Sequence, residues 1–194
     1  MASVHKITRG LKENNVDEKL SAEIIGEGDI INIIRRMDDM LDKEVTYKVL
    51  DACACCTKTS KAQDKKCKEY GKAMEGKPLS EKVKGLGSID FHNVTLNDDG
   101  TLYVNWYWDI VEGTKTCSCG AINVPIIASK MLLKDKKVPV DERVMPLSYC
   151  YCCTGHFRYH LQNALRLKLK TKEILSSPIN SKGEDPCAFV FEIL

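Results

Sequence analysis

The stretch TLYVNWYWDIV, Thr101 to Val111, constrains the fold most, because its large residues alternate. Leu102, Val104, Trp106 and Trp108 fall on one side of a strand, and Tyr103, Asn105, Tyr107 and Asp109 on the other. The segment SIDFHNVTL and the turn NDDG stand just before it, so the pattern predicts an antiparallel hairpin over 88–110. A sheet with one apolar face needs a second layer to cover it. The flanking segments supply that layer, because their hydrophobic period is helical. In DIINIIRRMDDMLD, residues Ile30, Ile33, Ile34 and Met37 form a stripe that Met40 and Leu41 extend.

Helical character is expected over 16–56. VDEKLSAEIIGEGD opens with acidic residues and stops at Gly26 and Gly28. KEVTYKVLDACACC continues with Val45, Val49 and Ala52 in line. The lysine-rich run 57–87 reads as a short solvated helix around Lys61 to Met74, then a loop. After a polar connection with two prolines, TGHFRYHLQNALRLKLKT predicts a helix over 155–170. Thr154 would cap it, and Phe157, Leu161, Ala164 and Leu165 would face the core. The tail alternates through Cys187, Phe189 and Phe191, as a terminal hairpin would. The expected architecture is therefore α+β: N-terminal helices, a largely antiparallel sheet, a long C-terminal helix and a terminal β-hairpin. One domain, 1–194, would hold a helical part over 1–56 and an α+β core over 88–194.

Ten cysteines in 194 residues raise the question of chemistry. A chain of this size buries a core without disulfide staples. The first residues, MASVHKITRGLKENN, lack an apolar signal core, so a reducing, cytoplasmic setting is expected. A net charge of +2 gives no bulk pull toward nucleic acid or membrane, and no run of about eighteen apolar residues occurs. The cysteines cluster. Cys-x-Cys-Cys-Thr appears at Cys53, Cys55, Cys56 and again at Cys150, Cys152, Cys153, the second copy followed by His156 and His160. Adjacent cysteines suit a structural disulfide poorly.

His156 and His160 are four apart, so a helix puts them on one face, with Cys153 bordering it. Cys150 and Cys152, if extended, would point to one side. Sulfur and nitrogen donors of this kind suit tetrahedral zinc, and Cys53, Cys55 and Cys56 would complete the site or form another. An iron–sulfur cluster fits less well, because the bacterial Cys-x₂-Cys-x₂-Cys run is absent. A second chemistry is nucleophilic: Cys153 at a helix start, with His156 or His160, resembles a thiolate–imidazolium pair. The plain alternative is buried thiols and hydrogen-bonded histidines. Cys67 and Cys187 stand alone and read as core, while Cys117 and Cys119 form a further Cys-x-Cys pair without an assigned role.

The ending GEDPCAFVFEI, with Gly183, Asp185, Cys187 and Phe189, resembles the C-terminal motif of the 4-vinyl reductase (V4R) superfamily. It is also similar to the tail of L-2-amino-thiazoline-4-carboxylate hydrolase-like proteins. The resemblance covers about the last forty residues and implies an α+β domain that binds a small molecule. The expected function is a cytoplasmic, zinc-binding α+β protein with a small-molecule pocket, placed against a face of the hairpin. Two alternatives stay open: a small-molecule hydrolase using a Cys/His nucleophile or metal-bound water, and a structural or regulatory zinc module.

Overall fold

A computed structural model describes residues 2–28, 30–54, 61–106, 108–111, 114–116, 146–177, 181 and 185–194. The architecture is α+β. Helices α1 (Val4–Glu13), α2 (Glu18–Ile25), α3 (Ile30–Met40) and α4 (Lys43–Asp51) come first. Helices α5 (Lys61–Ala73) and α6 (Leu79–Gly85) follow, then a 3-10 turn, Leu86–Ile89. Strands β1 (Val94–Leu96) and β2 (Leu102–Trp106) pair antiparallel, as do β3 (Trp108–Val111) and β4 (Thr114–Thr116). A second 3-10 turn, Leu147–Cys150, leads into α7 (Tyr151–Leu165), and β5 (Leu169–Ser176) and β6 (Cys187–Ile193) close the chain. The main sheet has the order β1-β2-β6-β5, all antiparallel.

The hairpin forms for the reason its turn residues suggest. Asp99 Oδ1 accepts hydrogen bonds from the Thr101 backbone N–H at 3.0 Å and from the Thr101 hydroxyl at 2.6 Å. Gly100 takes φ +80°, a left-handed conformation that costs glycine nothing. Its first strand is shorter than the alternation suggested. Leu86–Ile89 is a 3-10 turn and Asp90 is left-handed, so pairing starts only at Val94. Phe91, just ahead of the strand, turns inward against Trp106 and Phe157 instead.

Helix α7 is the centre of the molecule. Phe157 lies 5.1 Å, ring to ring, from Phe189 on β6 and 5.3 Å from Trp106 on β2. Tilted and edge-to-face pairs of this kind add roughly 0.5–1.5 kcal/mol each beyond their buried area. Leu161, Ala164 and Leu165 are buried as their spacing predicts. The helix starts earlier and ends earlier than expected, however. Thr154 is not its cap: it lies inside the first turns, fully buried, and its hydroxyl donates to the Tyr151 carbonyl at 3.1 Å. The Thr171 hydroxyl on β5 donates to Thr154 in turn, at 3.1 Å. Arg166 is left-handed and closes the helix, so Lys168 precedes β5 and Lys170 lies on it, and neither serves a helix end.

The N-terminal helices lock together through polar ends as well as apolar stripes. The Arg36 guanidinium on α3 donates to the carbonyls of Ile24 at 2.7 Å and Ile25 at 3.0 Å, satisfying the open C-terminus of α2. Helix α1 opens the helical part expected over 1–56, and it buries Ile7 and Leu11, with Gly10 against Val49 of α4. Helix α6 replaces the expected loop. Among the described residues, no helix is long and apolar enough to cross a membrane.

Candidate functional site

The end of α4 and the start of α7 meet, and they carry the beginnings of the two cysteine stretches. Glycine makes the approach possible. A Cβ at Gly155 would lie 2.9 Å from both the Asp51 carbonyl and its Oδ1, and 3.0 Å from Ala54 Cβ. The contact is fixed by a bidentate pair: Arg158 Nε donates to Asp51 Oδ1 at 3.0 Å and Nη2 to Oδ2 at 2.6 Å. Planar, two-point pairing of this type is the strong form of a charged hydrogen bond. Lys6 Nζ reaches over from α1 and donates to the Cys53 carbonyl at 2.8 Å. The Cys152 thiol donates to the same carbonyl at 3.4 Å. Residues 99 positions apart are thus neighbours.

The expected donors divide into three groups. Cys53 is fully buried, and its thiol donates to the Val49 carbonyl at 3.2 Å. Burial pushes that thiol up, with Lys6 opposing, so the protonated form is favoured. Cys150 ends the 3-10 turn and Cys152 sits in the first turn of α7, both buried. They are helical neighbours, so the expectation that an extended segment aligns their sulfurs does not hold. Cys153 and His156 are half-buried, three residues apart on α7. Cys55 and Cys56, like Cys117 and Cys119, lie outside the described residues.

His160 continues the Cys153–His156 face one turn further along α7. The two imidazole rings are 4.6 Å apart and nearly perpendicular. His160 is fully buried. Its Nδ1 lies 3.9 Å from Cys67 Sγ on α5, and its Nε2 has no hydrogen-bond partner among the described residues. Burial, then the neighbouring His156, lowers its pKa to about 4, against a smaller opposing effect of Asp64. The ring is neutral at ordinary pH. Cys67, also fully buried, is pushed up to about 11 by burial. The Cys67–His160 contact therefore joins a thiol to an imidazole and does not form an activated ion pair. By sequence alone Cys67 is an isolated core residue. Its partner is 93 positions away, and no local signal joins them.

Among the described residues, no group of three or more histidine, cysteine or acidic side chains has metal-holding geometry. His156, His160 and Cys153 supply donors along one helix face, and further donors would have to come from elsewhere in the chain. A separate cavity of about 420 Å³ opens between α3, α4, the 147–150 turn and β5. It lies away from the hairpin face on which a pocket was expected.

A scan against protein-family models, a search of curated proteins and a search of solved structures each found no match to this chain.

Proposed function

We propose that this chain is a metal-binding protein in which the Cys153–His156–His160 face of α7 holds a zinc ion on cysteine and histidine ligands. The observation that carries the reading is His160. A fully buried ring nitrogen with no partner among the described residues costs about 1–3 kcal/mol, and a bound ion removes that cost. One of the two tautomers that this contact allows suits a metal. A proton on Nδ1, directed at Cys67 Sγ, leaves the Nε2 lone pair for a metal, the arrangement that outer partners of metal-bound histidines usually enforce. His156 lies beside it, and Cys153 is one turn before His156 and two turns before His160. Cys55 and Cys56 follow Ala54, which borders Gly155, so they are the natural source of the remaining thiolates. Mixed sulfur and nitrogen donors select zinc over magnesium or calcium. The clustered thiols suit a reducing, cytoplasmic setting. The V4R-like ending extends the reading to a protein that also takes a small molecule.

The test is elemental analysis of protein purified anaerobically without added metal. About one zinc per chain is expected. His160→Ala and Cys153→Ser should lose it, whereas Cys67→Ser, which alters only an outer partner, should weaken affinity by roughly 10–100-fold. Protein without stoichiometric metal, or metal retained in both His160→Ala and Cys153→Ser, overturns the proposal.

A further inference from the structure

The cavity of about 420 Å³ is built by the face of the 147–151 segment that looks toward α3, α4 and β5. Its walls include Leu41, Leu147, Ile174 and the ring of Tyr151, and Asp38 and Glu173 supply carboxylates. Asp38 is held in place: the Ser148 hydroxyl donates to its Oδ2 at 2.6 Å. Its other oxygen takes no hydrogen bond among the described residues, and Glu173 has no ion-pair partner among them. Among the described residues Lys43 is the one cation in the lining, and it too has no ion-pair partner among them. Two carboxylates against one ammonium leave the described lining net negative.

The same surface already accommodates an ammonium next door. Lys170 Nζ lies 5.7 Å over the Tyr47 ring and 3.0 Å from Glu44 Oε2, and the Tyr47 ring packs edge-on against Tyr151 at 5.2 Å. A phenol face with a carboxylate beside it is a combination that attracts a cation. Apolar walls with a few placed charges form the common lining of a small-molecule site.

We infer that this cavity binds a small organic amine, its ammonium between Asp38 and Glu173 and its apolar stem against Leu41, Leu147, Ile174 and Tyr151. The site is separate from the metal reading: it uses none of the proposed ligands, although Tyr151 stands between Cys150 and Cys152 in the chain. The experiment is methyl NMR of the full chain, titrated with n-butylammonium, and with butyrate and n-butanol as controls of matched size and ionic strength. Saturable shifts at the methyls of Leu41, Leu147 and Ile174 are expected with the amine alone. Asp38→Asn with Glu173→Gln should weaken binding by roughly tenfold or more, as loss of close charge pairs does. The exposed Glu173→Gln alone, which leaves the Ser148–Asp38 bond intact, should weaken it severalfold. An equal response to butyrate or butanol, no saturable shift with the amine, or wild-type affinity in the double variant refutes the inference.

Discussion

Replacing Gly155 with alanine tests the contact that unites the two cysteine stretches, and the sign of the effect decides the matter. In the middle of an exposed helix this change stabilises by about 1 kcal/mol, because alanine loses less backbone freedom on folding. At Gly155 the new methyl would lie 2.9 Å from the Asp51 carbonyl and Oδ1, and 3.0 Å from Ala54 Cβ. None of these neighbours yields easily. The Asp51 carboxylate is gripped at both oxygens by Arg158, and its carbonyl is backbone. Ala54 follows the Cys53 carbonyl that Lys6 and Cys152 hold. The end of α4 must therefore move as a unit, and overpacking of this kind costs typically about 1–3 kcal/mol. Subtracting the helical gain of about 1 kcal/mol leaves a net loss of roughly 0–2 kcal/mol. For a chain of this length that lowers Tm by up to about 8 °C. Differential scanning fluorimetry checked against urea unfolding measures it. A Tm that rises, as helix propensity alone dictates, refutes the close packing of α4 on α7.

Asp51→Asn should cost about 1–3 kcal/mol in urea unfolding, because it strips the charge from a largely buried two-point pair with Arg158. A change below about 0.5 kcal/mol would place the pair among ordinary surface bridges. Gly71→Ala should be at least as harmful as Gly155→Ala, since its Cβ would meet the backbone carbonyls of Asn163 and Ala164 where α5 crosses α7. The Cys67 thiol pKa is raised by burial, so its contribution is complete below about 9 and is lost as pH climbs through about 11. Unfolding free energies at pH 8 and pH 10.5 should therefore fall more steeply in the wild type than in Cys67→Ala, by at most about 3 kcal/mol; parallel slopes would show that the thiol is not enclosed.

Much of the fold is legible because its elements obey local rules. The stripe through Ile33, Ile34 and Met37 is buried, the NDDG turn makes its hydrogen bonds within four residues, and Phe157, Leu161 and Leu165 face the core. What is hidden depends on distant residues. Thr154 has the chemistry of a cap, but Tyr151 and Thr171 occupy its hydroxyl, and the helix begins among the cysteines instead. Helix α1 falls within the expected helical part, but its bounds rest on a Ser3 cap and only two large buried residues, Ile7 and Leu11. Helix α6 is short and turns just one residue, Val83, fully inward, so lysines mask it. The candidate site is legible as a set of donor types and not as a geometry. Spacing along α7 aligns His156 with His160, but only the packing of α5 shows that Cys67 stands behind His160.

The Asp51–Arg158 clasp joins residues 107 positions apart, which has a consequence for the order of events in folding. Helices α1 to α4 can pair early, through contacts between near neighbours in sequence. The clasp must wait until most of the chain has been synthesised and a long loop has closed, a slow kind of step. Until then the thiols of both stretches stand open to oxidants and to one another. Refolding from denaturant should accordingly yield native protein in proportion to the reductant present during the first moments. Mispaired disulfides between the two stretches would be the main kinetic trap when reductant is withheld.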